Sequence, residues 1–318
     1  MINAELQEKI DRSIARAKMF CPEDGYYLAF SGGKDSVVCK QILIEAGVPF
    51  DAVYNVTSVD PPELVRFVQQ YHPDVKFEVP TDNDGAITMW KLIVKKGMPP
   101  MRTGRYCCHY LKESAGDGRI VVTGVRWAES NRRAESQGVA TILPPKKKAG
   151  RKDEPDEANE NYRRNKYGAL VLVNDNADER LTLEHCVMHH KVMLNVIIDW
   201  EQADVWNFIR DRKLPYCSLY DEGFSRLGCI GCPLGGKRSM EREFARWPKY
   251  REIYLRTFQR MQERRVARGK PMFDCAGRYP NATPEQIMKW WLADDVPDEQ
   301  MTLMFEEEEY EEDYLPFA

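Results

Sequence analysis

The sequence has no run of about 18 apolar residues, so no membrane-spanning helix is expected. It also has no apolar segment near its start that leads to a small-residue cleavage site, so we predict no signal peptide and expect a cytoplasmic protein. Neither sign of charge dominates, because 46 Lys and Arg face 50 Asp and Glu. This balance excludes a wholly basic nucleic-acid coat and a wholly acidic disordered chain.

Enough apolar sequence remains for a substantial core. Of the 318 residues, 43% are apolar and 11% are aromatic, which suits one large domain or two of ordinary size.

A disulfide framework has little support. The nine cysteines are an odd number in a compartment expected to be reducing. Cys107 and Cys108 are adjacent, with Cα atoms about 3.8 Å apart, so they cannot easily bond to each other. Cys229 and Cys232 form a C-x-x-C motif, in which we expect Gly228 and Gly231 to shape the turn and Pro233 to end it. Four thiolates suit a [4Fe–4S] cluster, with a structural zinc ion or reduced, partly buried thiols as alternatives.

Strands and helices alternate in the first part of the chain. Apolar runs predict strands at 25–30, 50–56, 75–80 and 119–125, and helical periodicity predicts helices at 3–19, 36–47, 61–72 and 86–97. This alternation predicts an α/β fold with a mostly parallel, doubly wound sheet, whose ligands bind beyond the carboxyl ends of the strands. Farther on, Asp199 is predicted to cap a helix, with Gln202 as its capping-box partner.

We divide the chain into four regions from these patterns. They are an N-terminal helix at 1–24, an α/β domain at 25–215 with an insertion at about 128–192, a basic helical region with cysteines at 216–300, and an acidic tail at 301–318. Within the insertion, residues 144–166 are charged and lack an apolar period, so we expect them to be exposed and disordered. The tail is expected to be disordered as well.

The segment SGGKDS (31–36) lies between a predicted strand and a predicted helix. Its two glycines allow a tight turn with N–H groups facing an anion, and the positive end of the helix dipole adds to the attraction. Lys34 contributes a full charge, and two serines contribute hydroxyl groups. The spacing is not that of a Walker A loop. We predict a polyphosphate site, and the alternative is an ordinary glycine turn with a solvated lysine.

This loop resembles the pyrophosphate loop of the N-type ATP pyrophosphatases. The rest resembles one branch of their relatives, the adenosine phosphosulfate and phosphoadenosine phosphosulfate reductase family. The matching segments are YYLAFSGGKDSVV (26–38), YNVTSVDPPEL (54–64), RYCCHYLK (105–112), VVTGVRWAESNRRA (121–134) and NVIIDWEQADVWNFIRDRKLPYCSLYDEGFSRLGCIGCP (195–233). The resemblance covers residues 25–135 and 195–235. It implies a Rossmann-type fold like that of the adenine nucleotide alpha hydrolases.

The resemblance also implies which residues form the sites. The nucleotide would be bound by Ser31, Gly32, Gly33, Lys34, Asp35, Ser36, Asn55, Thr57, Gly124 and Arg126. Lys34, Asp35 and Arg126 would act in catalysis; a helix-start charge is the alternative for Asp35, and a surface ion pair for Arg126. The ligands of the [4Fe–4S] cluster would be Cys107, Cys108, Cys229 and Cys232.

Other thiols and histidines have weaker assignments. Cys217 is interpreted as an extra thiol, and the alternatives are that it replaces Cys107 as a ligand or serves as a redox or sulfur-relay group. Cys186 lies among His185, His189 and His190, where a second metal site competes with the interpretation of scattered polar histidines.

One family feature is missing from this sequence. The assimilatory reductases use a nucleophilic cysteine near the C-terminus, whereas no cysteine follows Cys275 here and residues 273–280 do not match that segment. Cys275 could substitute for it. The resemblance is closer in style to ATP-using sulfurtransferases, including the branch that installs phosphorothioate in DNA. It implies an enzyme that binds ATP with Mg²⁺, releases pyrophosphate and activates an acceptor, such as a nucleic acid, for transfer of sulfur from a donor such as a cysteine desulfurase.

Two alternatives remain open at this point. One is a sulfonucleotide reductase that releases sulfite with thioredoxin or glutaredoxin. The other is a nucleotide-binding subunit of a larger complex without its own turnover.

The balanced total charge hides two opposite segments. Residues 237–270 hold 12 Lys and Arg against 4 Glu, and residues 294–313 hold 11 Asp and Glu with no Lys or Arg. Aromatic residues interleave with the arginines of the basic segment, which indicates either a helix with its aromatic side packed on a core or a nucleic-acid-binding surface. The acidic segment would then solubilise the chain or shield that basic surface.

Overall fold

A computed structural model of the chain describes residues 2–102, 104–113, 116–143, 161–176, 179, 183 and 191–293. It divides into two compact units. The first comprises Met1–Asn55, Pro62–Glu78 and Ala115–Leu227, and the second comprises Val56–Pro61, Val79–Ser114 and Gly228–Ala318. Two segments from within the predicted 25–215 domain, 56–61 and 79–114, therefore group with the C-terminal part of the chain.

An eight-stranded sheet forms the centre of the first unit. Its strands are β1 (Tyr26–Ala29), β2 (Phe50–Asn55), β3 (Lys76–Glu78), β6 (Ile120–Val122), β7 (Ala140–Ile142), β8 (Tyr162–Arg164), β9 (Leu170–Leu172) and β10 (Val192–Leu194). They lie in the order β3-β2-β1-β6-β10-β7-β9-β8. Pairing is parallel from β3 to β10 and antiparallel among β10, β7, β9 and β8. The predicted α/β fold with a mostly parallel, doubly wound sheet is confirmed.

The strand order creates a switch point beside β1. The chain proceeds from β1 to β2 and β3 on one side and returns to β6 on the other side of β1. The loops that leave the carboxyl ends of β1 and β6 therefore diverge from neighbouring strands, which is where open α/β sheets bind ligands. The predicted phosphate loop follows β1, and Gly124 follows β6.

Among the described residues, five α-helices accompany this sheet. They are α1 (Ala4–Met19), α2 (Lys34–Ala46), α3 (Pro62–Tyr71), α6 (Asn131–Ser136) and α7 (Gln202–Asp211). Both α1 and α7 pack against α2, the helix that begins at the phosphate loop. Val38 of α2 and Phe208 of α7 are fully buried, as is Leu28 of strand β1.

The predicted cap of helix α7 is wrong. Glu201, not Asp199, is the N-cap, and it forms a capping box with Asp204. Asp199 instead accepts hydrogen bonds from Arg16 at 2.7 Å and Arg12 at 3.0 Å. The ion pairs with helix α1 thus take the carboxylate that the sequence pattern assigned to the cap.

The second unit is largely helical, as predicted for the C-terminal part. Its elements are β4 (Thr81–Asp82), β5 (Gly85–Ala86), α4 (Met89–Lys96), α5 (Tyr106–Cys108), α8 (Gly236–Arg246), α9 (Pro248–Ala267) and α10 (Pro284–Leu292). Helix α5 continues as a π-helical turn at His109–Glu113. Helix α9 packs against α4, α8 and α10. Its buried residues include Tyr254 and Phe258.

Part of the segment expected to be disordered forms a strand instead. Tyr162–Arg164, at the end of the segment expected to be disordered, forms β8 and pairs with β9. The remaining part of that segment, 144–160, and the acidic tail at 301–318 lie outside the described residues. Within the described part of the chain, no helix has the length and apolar character required to cross a membrane.

Candidate nucleotide site and cysteine centre

The phosphate loop makes its turn through Gly32. Its φ of +72° lies in the left-handed region, and a Cβ at this position would lie 2.7 Å from Val68 and 2.9 Å from Leu64. Glycine is therefore required here both by the backbone and by the packing of α3. Gly33 is the N-cap of α2 and has no side chain to satisfy the first N–H groups, so these groups find partners elsewhere in the fold.

Hydroxyl groups line the turn. Ser36 is buried and its hydroxyl donates to the carbonyl of Gly33 at 2.8 Å, while Ser31 is exposed and lies 3.3 Å from the Ser36 hydroxyl. The phenol of Tyr220 accepts a hydrogen bond from the backbone N–H of Lys34 at 2.9 Å. The sequence pattern assigned no role to Tyr220, because it lies far from the loop along the chain.

Three charged side chains meet at the start of α2. The Nζ of Lys34 lies 3.0 Å from Oδ2 of Asp35, and the Nε of Arg126 donates to Oδ1 of the same carboxylate at 2.8 Å. Lys34 and Arg126 are only 4% and 2% exposed. Two cations around one carboxylate leave a net positive charge beside the helix dipole, which favours binding of a polyphosphate.

Arg126 is held firmly in this arrangement. Its two Nη atoms donate to the carbonyl of Trp200 at 3.2 Å and to the side chain of Gln202 at 3.1 Å. The alternative of a surface ion pair is therefore wrong, because the guanidinium is buried. In this structure Arg126 orients Asp35. Gly124 allows the approach, since a Cβ there would lie 3.0 Å from the Cβ of Asp35.

The boundary between the two units falls at the end of β2. Asn55 ends the strand, and its side-chain amide lies 3.5 Å from the phenol of Tyr27 in the first unit. Burial raises the pKa of Tyr27 to about 12, so this phenol keeps its proton. Thr57 belongs to the second unit, is fully buried and accepts a hydrogen bond from the thiol of Cys229 at 3.5 Å.

The adjacent cysteines occupy helix α5, where both are partly exposed. They influence each other strongly, since a hydrogen bond between the two sulfurs raises the pKa of Cys107 and lowers the pKa of Cys108. Arg105 and Lys112 stabilise the Cys108 thiolate further. One sulfur of the pair is therefore readily available as a thiolate, the form that binds metals.

The C-x-x-C turn is built around Gly231. Its φ is +76°, and its N–H donates to Glu243 at 2.7 Å. The carbonyl of Ile230 accepts from the buried phenol of Tyr254 at 3.0 Å. Gly228 has no left-handed φ, and a Cβ there would meet no atom within 4 Å, so the expectation that both glycines shape the turn holds only for Gly231.

All four predicted cysteine ligands belong to the second unit and share one electrostatic environment. Negative charge on Cys108, Cys229 and Cys232 raises the pKa of Cys107 in addition to burial. Burial raises the pKa of Cys229, and it raises that of Cys232 to about 11. Lys112 has an exposed side chain, yet Cys229 and the other sulfurs raise the pKa of its ammonium.

The positions of the side chains do not by themselves define a metal-binding site. Across the described ranges, no three His, Cys, Asp or Glu side chains lie close enough together to hold a metal ion. The donor chemistry nevertheless fits a sulfur-ligated group, because four thiols, one favoured thiolate and a compensating lysine occur together.

Three of the other described thiols are less suited to chemistry. Cys39, Cys217 and Cys275 are buried, and burial raises the pKa of each. Cys217 belongs to the first unit, near Glu63 and other carboxylates. The second metal site considered at Cys186 and its neighbouring histidines lies outside the described residues.

Helices α8 and α9 carry their aromatic side chains inward. Phe244, Trp247, Tyr254 and Phe258 are at most 7% exposed. Basic residues of the two helices, and of the turn that follows α9, lie outside; the exposed ones are Lys237, Arg238, Arg242, Arg246, Lys249, Arg251, Arg256, Arg260, Arg268 and Lys270. We call these ten residues the basic face. The arrangement matches a helix with an aromatic side packed on the core and a solvated basic side.

Comparison with known proteins identifies a family and several relatives of similar sequence. The family model described as the phosphoadenosine phosphosulfate reductase domain matches residues 25–234. An uncharacterized protein of Methanocaldococcus jannaschii is 25% identical over 243 residues, which are 71% of this chain and 40% of that protein. The adenosine 5'-phosphosulfate reductase of Oceanobacillus iheyensis is 39% identical over 51 residues, which are 16% of this chain and 21% of that enzyme. The chain thus spans only between about a fifth and about half of the curated relatives it matches.

Solved structures show more distant similarity. The phosphate complex of phosphoadenylyl-sulfate reductase from Candida auris has a TM-score of 0.40 at 15% identity, covering 72% of this chain and 96% of that chain. The ATP complex of FMN adenylyltransferase from Candida glabrata has a TM-score of 0.38 at 15% identity, covering 71% of this chain and 62% of that chain.

Proposed function

Because the chain belongs to the phosphoadenosine phosphosulfate reductase domain family, we propose that it is an enzyme that binds ATP at the loop of residues 31–36, releases pyrophosphate and activates an acceptor for sulfur transfer. The observation that carries this proposal is the group of Lys34, Asp35 and Arg126 at the start of α2. It supplies a buried positive charge at a helix N-terminus, where phosphate groups bind.

The loop residues would act mainly by positioning and by neutralising charge. The ammonium of Lys34 would move from Asp35 to the oxygens of the β- and γ-phosphates and stabilise the departing pyrophosphate. Arg126 would keep the Asp35 carboxylate in place while this happens. Asp35 would then be free to help bind Mg²⁺, which would neutralise further phosphate charge when present.

The proposed reaction has two displacement steps. An acceptor oxygen attacks the α-phosphorus of ATP, the bond to the bridging oxygen breaks, and pyrophosphate leaves with the bonding electron pair. A donor at the oxidation level of sulfide, such as hydrosulfide, then attacks the activated centre of the acceptor through its sulfur, and its proton passes to solvent. The acceptor oxygen leaves with its electron pair as part of AMP.

The second unit would hold a [4Fe–4S] cluster on Cys107, Cys108, Cys229 and Cys232. The support is the donor set, in which Cys108 favours the thiolate and Lys112 places a positive charge beside the sulfurs. Such a cluster would supply redox or sulfur-binding chemistry to the enzyme. A zinc ion is the alternative occupant.

A sulfonucleotide reductase is the second candidate. The observation in its favour is the 39% identity with an adenosine 5'-phosphosulfate reductase over 51 residues. That reaction needs a nucleophilic cysteine besides the cluster ligands. Three of the other described cysteines are buried with raised pKa values, and burial of Cys275 disfavours its thiolate in particular. This difference favours the ATP-using enzyme.

One experiment separates the candidates. Anaerobically purified protein is incubated with α-labelled ATP and Mg²⁺, and the products are resolved. We expect AMP and pyrophosphate, whereas sulfite from adenosine phosphosulfate and thioredoxin would establish the reductase. Nucleotide binding without turnover of either substrate, across a panel of acceptors, would identify a binding subunit. Iron and sulfide near four each per chain would support the cluster, and a colourless zinc protein would refute it.

A nucleic acid is the acceptor class that we propose. The support is the basic face, whose charge lies outward and is concentrated on two consecutive helices. Arg256 and Arg260 are exposed one helical turn apart on α9, where they can contact neighbouring phosphates.

Binding of fluorescent DNA and RNA tests this surface directly. The double variant Arg256→Glu/Arg260→Glu should weaken binding and lower the slope of log affinity against log salt by about one for each phosphate that the variant no longer binds. The matched control Lys18→Glu/Lys166→Glu changes the same charge at exposed positions of the first unit. Equal effects of the two double variants would show that only total charge matters.

A further inference from the structure

Tyr220 directly contacts the phosphate loop, and no role has so far been given to it. It ends the 3₁₀ turn Ser218–Tyr220 in the first unit. Its phenol oxygen accepts the N–H of Lys34, the first residue of α2, at 2.9 Å. A Cβ at Gly33 would lie 3.4 Å from the same oxygen. The phenol therefore lies where the helix N-terminus presents its donors to an anion.

The phenol still has a proton to donate. It accepts one hydrogen bond from the loop, and none of the hydrogen bonds among the described residues uses its O–H as the donor. Burial raises the pKa of Tyr220, so the group is a neutral donor under ordinary conditions. A phenol has one donor and can accept at the same time.

Neighbouring side chains hold the ring in place. Trp206 contacts it edge to face with ring centroids 5.1 Å apart. The ammonium of Lys34 lies 5.6 Å from the centre of the ring and 3.5 Å from the carbonyl of Ser225. The segment that contains Tyr220 is thus attached to the loop at several points, so the hydroxyl is positioned before any ligand arrives.

We propose that Tyr220 is a phosphate-binding residue of this site: its hydroxyl accepts the Lys34 N–H and donates its own proton to a phosphate oxygen of the bound nucleotide. This inference rests on the proposed nucleotide site and adds a residue to it. The hydrogen bond is charge-assisted, because the acceptor oxygen is anionic.

The test compares ligands with and without phosphate. Binding of pyrophosphate, ATP and adenosine to the full chain is measured by calorimetry for the wild type and for Tyr220→Phe. We expect Tyr220→Phe to weaken binding of pyrophosphate and ATP by roughly 10-fold or more, as for loss of a hydrogen bond to a charged group. Binding of adenosine should not change.

Tyr216→Phe is the matched control. Tyr216 belongs to the same aromatic cluster, but it is exposed and its hydroxyl contacts Asp221 at 3.1 Å. Its variant should bind all three ligands like the wild type. An unchanged thermal midpoint for Tyr220→Phe would show that the fold is intact. Should that variant unfold, 3-fluorotyrosine at position 220 provides a stronger donor and should bind pyrophosphate more tightly.

The outcomes distinguish this inference from the wider proposal. Wild-type affinity for pyrophosphate in Tyr220→Phe, or weaker binding with fluorotyrosine, would overturn the role of Tyr220 and leave the nucleotide site standing. A wild type that binds neither ATP nor pyrophosphate would overturn the site, and Tyr220 with it. Equal losses for adenosine and ATP would indicate a distorted pocket and would also overturn the inference.

Discussion

Replacing Gly231 by alanine should disrupt the C-x-x-C turn selectively. The residue has a φ of +76°, and an added Cβ would lie 2.8 Å from Cζ of Phe244, 3.2 Å from Tyr254 and 3.3 Å from Trp291. These are rigid ring atoms of buried side chains from α8, α9 and α10. The rings cannot simply rotate away, because they also pack against one another.

Two costs add in this variant. A left-handed backbone costs a residue with a Cβ about 1–2 kcal/mol. Overpacking a buried site by one carbon costs about 1–3 kcal/mol more. Gly231→Ala should therefore lower the free energy of unfolding by roughly 2–5 kcal/mol, unless the turn itself shifts. A shift of the turn would displace Cys229 and Cys232 instead.

Two measurements distinguish a loss of stability from a shift of the turn. Urea unfolding followed by tryptophan fluorescence reports the loss of stability, and the rate of thiol labelling reports displacement of the cysteines. Gly228→Ala is the control, because Gly228 immediately precedes the same turn and has open space around it and no left-handed φ. Its unfolding free energy should stay within about 0.5 kcal/mol of the wild type. Equal unfolding and labelling in the two variants would refute the packing argument.

Three more predictions concern the first unit. Gly32→Ala should abolish pyrophosphate binding, whereas Gly47→Ala, also at a left-handed φ but in open space, should only lower stability by about 1 kcal/mol. Lys34→Ala should weaken pyrophosphate binding in a calorimetric titration, and unchanged affinity would reject the loop assignment. Burial, followed by the charge of Lys40, lowers the pKa of His72 from 6.5 to about 4. The unfolded chain then binds more protons, so stability should fall by up to about 3 kcal/mol as the pH drops from 6.5 to 4, and His72→Phe should flatten this part of a urea-unfolding pH profile.

Local sequence was sufficient to predict the strand, loop and helix that form the candidate nucleotide site. Strand β1, the glycine loop and helix α2 follow one another directly, so an apolar run, two glycines and a helical period specify them without distant contacts. The four cysteines were also identified from their spacing and the family resemblance. Their assignment as cluster ligands remains a prediction.

Some expectations failed because residues far away in the sequence determined the local structure. Asp199 has the right position for a cap, but Arg16 and Arg12 bind its carboxylate. Residues 162–164 have a charged, polar sequence, but they pair with β9 as an edge strand. Neither partner can be inferred from the local pattern.

The amino-acid sequence by itself determined that a glycine-rich loop joins a strand to a helix in a mostly parallel α/β sheet, since these features depend on neighbouring residues and on periodicity. Only the tertiary structure decided that Arg126 orients Asp35, that Thr57 contacts Cys229, and that Tyr220 meets the N–H of Lys34. Each of these contacts joins segments far apart in the chain. They form because the sheet order and the helix packing bring the segments together, and a linear pattern contains no signal for that arrangement.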